Sequence, residues 1–175
     1  MSARSYLIGF PPGWTTCAID DLGEVVTGKT PSTKTPSYSN GAIPFYRPPD
    51  VVRGQPMLEG ASALTEAGAA TVRVLPVGSV AVTCIGVLGR TGLVRVPGVT
   101  NQQINSVIVD SHLATPEYVS YVIQTPAVQG DMSSRASATT VPILNKSKFA
   151  ATRVPLAPLN EQRRIVAKLD ELFSK

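Results

Sequence analysis

The sequence is poor in the side chains that chemistry usually needs. Histidine occurs once (His112) and cysteine twice, at Cys17 and Cys84, with no CxxC pair. That excludes the common zinc-finger ligand sets and a disulfide framework, and leaves both cysteines as buried free thiols. No run of about 18 apolar residues is present, so no membrane-spanning helix is encoded. The opening stretch MSARSYLIGFPPGW is too short and too broken by glycine and proline for a secretory leader, which places the chain in the cytoplasm. Charge is also scarce, at 16% of residues against 43% hydrophobic, and a chain of 175 residues with that balance folds around one sizeable core. The net charge of +4 is uneven. Residues 1–75 hold six basic and six acidic side chains, residues 76–159 six and three, leaving an excess that a polyanion can use.

What is abundant is punctuation. Fifteen prolines and fourteen glycines cut residues 1–158 into short β-branched pieces, EVV, TVRVL, SVAVTCI, TGLVRV and NSVIV, which read as strands. One segment breaks the pattern. TPEYVSYVIQTP offers Thr115 as N-cap, Pro116 at the first helical position and Glu117 in the first turn, with Tyr118, Val119, Val122 and Ile123 on one face. The fold class is therefore α+β: a β-rich domain with short helices, over residues 1–159, then a C-terminal helix over 160–175. KTPSTKTPSYSNG (29–41) and GDMSSRASATT (130–140) read as surface loops, either functional or simply solvated connectors.

That last helix is well specified. Asn160 can cap it after Pro158, Glu161 lies in the first turn, and Lys168 and Lys175 lie toward the negative end. Ile165, Leu169 and Leu172 repeat at spacings of four and three, and Val166 and Phe173 widen the stripe. A lone helix of about 15 residues is marginal in water, so the stripe must be covered, by its own domain or by a second helix. The a/d spacing favours a second helix.

A search for an active site fails. His112 beside Asp110 and Ser111 has no triad spacing and reads as loop. RPPD (47–50) is similar to the amino-methyltransferase signature, but Arg47 cannot accept the hydrogen bond and Asp50 cannot stack on a base. A Pro-Asp…Glu-x-Lys nuclease centre also fails, because Glu59 is followed by Gly60 and Ala61. GVLGRTG (86–92) matches no phosphate cradle and reads as a tight hairpin with Arg90 at its tip. Cys84 or Ser111 as a nucleophile would lack an activating base.

Hydrogen-bonding side chains, in contrast, are plentiful. TNQQIN (100–105) sets Asn101, Gln102, Gln103 and Asn105 at a strand start, where carboxamides can read adenine or stitch loops to the sheet; stitching is the preferred reading. Lys29, Lys34, Arg90, Arg135 and Lys146 fall on predicted loops where phosphate contact is possible.

Taken in order, GEVVTGKTPS (23–32), IPFYRPPDV (43–51), PVGSVAVTCIG (76–86), TNQQINSVI (100–108), TTVPILNKSKF (139–149) and PLAPLNEQRRIVAKLDELF (155–173) resemble the DNA specificity subunits of Type I restriction-modification systems. The resemblance implies a target recognition domain over 1–159 and a spacer and dimerisation helix over 160–175. Methylation subunits would dock on that helix, and restriction subunits would join through them. It implies double-stranded DNA as partner, no cofactor, and reactions carried by the partner chains. In the family two recognition domains are separated by antiparallel helices; this chain has one of each and resembles half a subunit that forms a homodimer through Ile165, Val166, Leu169, Leu172 and Phe173. Base-contacting residues vary with the target, so the DNA-facing set is a physical selection: Lys29, Thr30, Ser32, Lys34, Arg47, Arg90, Ser134, Arg135 and Lys146. The competing reading is a β-rich protein adaptor that dimerises through the same helix.

Overall fold

The apolar runs find most of their partners far away in the chain. The computed structural model describes residues 9–53, 55–137 and 140–174. In chain order the strands are β1 (Thr15–Ala18), β2 (Gly23–Thr27), β3 (Ser39–Tyr46), β4 (Pro56–Met57), β5 (Ser62–Leu64), β6 (Ser79–Thr83), β7 (Thr91–Val94), β8 (Val99–Thr100), β9 (Ile104–Val109) and β10 (Arg153–Leu156). The helices are α1 (Glu66–Ala69), α2 (Pro116–Ile123), α3 (Pro126–Arg135), α4 (Lys146–Ala150) and α5 (Leu159–Phe173).

A five-stranded sheet in the order β2-β9-β6-β7-β4 forms the centre, antiparallel except where β4 runs parallel to β7. Alternation along its strands explains why it is buried on both faces. Val25, Val80, Val82 and Val107 face one core, together with α2, α3 and α4 through Val119, Ile123, Val128, Met132 and Phe149. Val26, Ala81 and Ile104 face the other, with Tyr46, Val51, Met57 and Val94. On that second side lies a three-stranded sheet, β5-β3-β8, with its own cluster of Phe45, Leu64, Ala69 and Val99. A third, two-stranded sheet pairs β1 with β10 and so closes the domain's two ends on each other.

The helix expected over TPEYVSYVIQTP forms as α2. Thr115 Oγ1 accepts the Tyr118 N–H at 3.3 Å, Pro116 opens the helix, and Tyr118, Val119, Val122 and Ile123 are all buried. The runs EVV, SVAVT, TGLV and NSVIV also form strands. TVRVL does not. The N–H groups of Thr71 and Val72 turn back to the carbonyls of Gly68 and Ala69, and only Leu75 makes a bridge, to Gly98.

The loop expected over 130–140 is also corrected. Gly130 to Arg135 complete α3, held by Val128 and Met132 in the core and by an Asp131–Arg135 pair at 2.8 Å, one helical turn apart. Ala138 and Thr139 of that segment lie outside the described residues. Within 29–41, residues Pro36–Tyr38 form a 3-10 turn and Ser39 begins β3.

Candidate nucleic-acid interface

The glycine-threonine-proline loop after β2 is fastened onto the TNQQ turn before β9. A Cβ on Gly28 would lie 2.1 Å from the Asn101 carbonyl oxygen, so only glycine lets the two backbones approach this closely. The contact is reinforced on both sides. Lys29 N–H donates to the Thr100 carbonyl at 2.9 Å, Thr30 Oγ1 donates to Gln102 Oε1 at 2.8 Å, and Thr27 Oγ1 donates to Asn105 Oδ1 at 2.7 Å. Asn101 is bonded to Gln103 through both ends of its carboxamide, and Asn105 Nδ2 donates to the Leu144 carbonyl at 2.9 Å. These carboxamides stitch loops together, as the preferred reading has it. Gln102 is the exposed member.

Beside this junction lies a groove of about 490 Å³, bordered by Thr30, Ser32, Tyr38, Phe45, Arg47 and Asn101. Its polar rim is made by β3, where the pairing with β5 shifts register between Ser39 and Ile43 and Asn40 takes a positive φ of 61°. Arg47 is the groove's cation. Its guanidinium carbon sits 5.3 Å from the centre of the Phe45 ring, and Nη2 donates to Ser62 Oγ at 2.8 Å.

Asp50 is three residues away but is otherwise engaged. Oδ2 accepts the Arg47 backbone N–H at 2.8 Å and Oδ1 the Ala61 N–H at 3.1 Å. The ion pairs found among the described residues use Arg73, Arg95, Arg135, Arg164 and Lys168, not Arg47. The groove therefore holds a positive charge that is oriented by two contacts and not neutralised by a carboxylate. Lys29 and Lys34 are exposed on the loop that forms the groove's edge.

The other sequence candidates lie elsewhere. Arg90 is not at a hairpin tip. Its N–H donates to Thr83 Oγ1 at 3.1 Å and its side chain is half-buried toward the Val51 carbonyl, because Gly89 N–H folds back onto Thr83 and leaves Gly86 and Val87 as the exposed turn. Ser134 and Arg135 are on α3 rather than a loop. Ser134 Oγ donates to the Asp131 carbonyl, and Arg135 is the partner of Asp131. Lys146 is exposed at the first position of α4. Helices α3 and α4 cover the first core, whereas Phe45 and Tyr46, next to Arg47, belong to the cores on the opposite face of the central sheet. The nine candidates thus do not share one face. Thr30, Ser32 and Arg47 line one groove, and Lys29 and Lys34 border it.

Groups with reactive potential are engaged in structure. The backbone N–H of the exposed His112 donates to Asp110 Oδ1 in the turn before α2, so Asp110 serves the turn and not the imidazole. Burial pushes the Cys84 thiol up to about 11, and burial followed by the nearby Asp21 charge does the same for the half-buried Cys17. Among the described residues no three metal-ligating side chains cluster, and no helix is long and apolar enough to cross a membrane.

The C-terminal helix grows directly out of the domain. It starts at Leu159, with Pro158 at the cap position and the Gln162 N–H bonded to the Pro158 carbonyl, so Asn160 is inside the first turn and does not cap; its Oδ1 accepts from Arg163. Gln162, which sequence reasoning missed, is 0% exposed. Its Oε1 accepts the Thr115 N–H at 2.9 Å and its Nε2 donates to the carbonyls of Leu113 and Ala157 at 3.1 and 2.8 Å.

The apolar stripe then divides. Ile165 and Val166 pack against the domain's own core. Leu169 and Phe173 line a hollow of about 640 Å³ with Arg53, Gln55, Tyr121, Gln124 and Thr125. Leu172 and Phe173 remain 52% and 72% exposed.

Comparison with known proteins finds matches along nearly the whole chain. The family model described as the Type I restriction modification DNA specificity domain matches residues 11–175. The HindI specificity subunit of Haemophilus influenzae is 28% identical over 172 residues, covering 94% of this chain and 37% of that subunit. The MjaIX specificity subunit of Methanocaldococcus jannaschii is also 28% identical, over 91% of this chain and 38% of its own length. The chain thus spans well under half of these curated relatives. The crystal structure of an HsdS subunit from Thermoanaerobacter tengcongensis superposes with a TM-score of 0.72 at 20% identity, over 94% of this chain and 38% of that one. The S subunit of a Type I system from M. genitalium gives 0.64 at 17% identity, over 92% and 39%. These two show a shared α+β fold.

Proposed function

We propose, from the premise that this chain belongs to the Type I restriction modification DNA specificity family, that it is a DNA-reading subunit that directs partner methylation and restriction subunits to a bipartite site. Residues 1–159 act as the target recognition domain and 160–175 as the spacer and dimerisation helix. The protein works in the cytoplasm, without catalysis of its own and without a cofactor.

The observation that carries this reading is Arg47, a guanidinium pre-oriented over Phe45 and by Ser62, in no ion pair among the described residues, in a groove rimmed by hydroxyl and amide groups. A planar donor fork held this way suits the paired acceptors of guanine or a phosphate. Thr30, Ser32, Lys29 and Lys34 add hydroxyl donors and backbone-binding cations beside it. Arg90, Ser134, Arg135 and Lys146 are secondary contacts, since none of them lines the groove and three of them are engaged with neighbouring groups.

The exposed apolar end of α5 suits a second copy of the same helix, so that two copies pair through α5 and present the domain twice about a two-fold axis. The target is then an interrupted palindrome with a fixed gap. Leu172 and Phe173, exposed at the helix end, support the pairing, with Leu169 beside them and Ile165 and Val166 continuing the stripe toward the domain.

The test is selection of bound duplexes from a random pool, with the cognate methylation subunit present. A two-fold symmetric, gapped motif is expected, with affinity falling on log-log axes against salt at a slope of about −0.9 per phosphate neutralised. No duplex binding under any salt condition would return the chain to the adaptor reading. Methyl transfer or DNA cleavage by a preparation free of partner subunits would contradict a non-catalytic role.

A further inference from the structure

Two polar contacts eight residues apart fasten α5 to the domain, with Ile165 and Val166 packed on the core between them. The first is Gln162, whose carboxamide satisfies the N–H of Thr115 and the carbonyls of Leu113 and Ala157 at full burial. Reversing that amide would set a donor against a donor and acceptors against an acceptor, so the three bonds admit one orientation of the side chain. The second is Tyr121, whose hydroxyl donates to Asp170 Oδ1 while its ring meets Phe173 at 6.1 Å between centres. Asn160, Glu161, Arg163, Arg164 and Lys168, in contrast, make their side-chain bonds within the helix itself.

We infer that Gln162 and the Tyr121–Asp170 pair form a two-point joint that sets the direction of α5 relative to the recognition domain, and thereby the number of base pairs between half-sites. This rests on the reading above, in which two copies pair through α5. The geometry gives the joint its leverage. Eight residues of helix put the second point about 12 Å from the first, so 1 Å of play at Tyr121–Asp170 permits a tilt of only about 5°. A domain of this size is roughly 40 Å across, and 5° over that distance is about 3.5 Å, close to the ~3.4 Å rise of one base pair. With the second point released, α5 is held from Gln162 to Val166 only, about 6 Å, so the same play permits about 10° and moves the far side of the domain by roughly 7 Å, about two base pairs. Gln162 and Tyr121–Asp170 are thus positioning residues: they touch no DNA and act through the angle they hold.

The test uses the full chain carrying Tyr121→Phe or Asp170→Ala, substitutions at a half-buried and an exposed side chain that remove the donor or the acceptor and leave Gln162 and the core untouched. Spin labels at Glu59→Cys and Ser174→Cys, in a Cys17→Ser background and diluted with unlabelled chain, report the distance between domain and helix end. Both variants should keep the melting temperature of the parent but broaden the distance distribution. With the methylation subunit present, the preference for the selected gap over gaps one base pair longer or shorter should shrink by about tenfold, the worth of one hydrogen bond to a charged group. The selected half-site sequence should stay the same, which a general loss of structure would not permit.

Unchanged distance distributions in both variants overturn the joint. Broadened distributions with unaltered gap preference overturn its role as a ruler while leaving the DNA-reading assignment standing. If the parent chain selects no gapped duplex, that assignment fails by itself, and the distance measurement still decides the joint.

Discussion

Asn105 donates from its carboxamide nitrogen to the Leu144 carbonyl at 2.9 Å, tying a central strand to the segment that leads into α4, 39 residues further along the chain. Its oxygen accepts from Thr27 on the neighbouring strand, and the side chain is 1% exposed. Asn105→Ala leaves a buried carbonyl and a hydroxyl without partners, which should cost about 1–3 kcal/mol. Asn101→Ala should act in the same direction, since Asn101 pins the Gln103 N–H and amide. Thermal unfolding and duplex selection check both: a lower melting temperature with unchanged base preference is expected. Altered preference at constant stability would reassign these residues to base reading.

Arg47 offers a charge test and a geometry test. Arg47→Ala should weaken specific binding by about 1–3 kcal/mol and relax the preference at one base position. Arg47→Lys keeps the charge but loses the planar fork and its fit over Phe45. It should preserve the salt slope while still relaxing specificity. If both variants change the salt slope alone, Arg47 contacts phosphate.

The outer half of α5 carries the exposed Leu172, and Leu169 one turn before it lines the hollow beside Tyr121. Changing Leu169 and Leu172 together to Asp places charges in the proposed helix pair, where unpaired buried charges are strongly unfavourable. A folded monomer is expected by sedimentation velocity. A parent chain that stays monomeric at high concentration, and occupies one half-site even with its methylation partner, argues against pairing.

Alkaline pH should destabilise the protein. The thiols of Cys17 and Cys84 are held up to about 11 in the folded chain against an ordinary value of 9.0, and Tyr46 and Tyr118 up to about 12 against 10.0, in each case first through burial. A folded value above the unfolded one means that the unfolded chain gives up its proton first. The contribution to stability is complete below about pH 9 and is lost as pH rises through the folded values. Urea midpoints should therefore decline between pH 9 and 11, less steeply in Cys84→Ala, and Cys84 should react slowly with thiol reagents at neutral pH.

Much of the secondary structure was legible where local signals sufficed. The Thr115 cap, Pro116 and four apolar residues on one face define α2 whatever surrounds it. Helix α3 was hidden by its Gly and Ser content, although Val128 with Met132 and Asp131 with Arg135, each four apart, would have disclosed it. TVRVL had the composition of a strand but no ladder partner, because its first N–H groups were taken by the turn after α1. Asn160 had the chemistry of a cap, but the hydrogen-bond ladder began at Pro158.

The fold class, the family and the existence of the last helix were legible from the residues alone, because these follow from periodicity, caps and motif order along the chain. Which side chains meet was decided by tertiary structure. Residues 15–18 pair with 153–156, Thr30 meets Gln102, and Gln162 reaches back to Thr115, all contacts between positions far apart in sequence. No local pattern encodes them. The same holds for the separation of the candidate cations, which the two-faced burial of the central sheet imposes: Arg47 was left in a groove with Thr30 and Ser32, while Arg135 was placed on α3 beside Asp131.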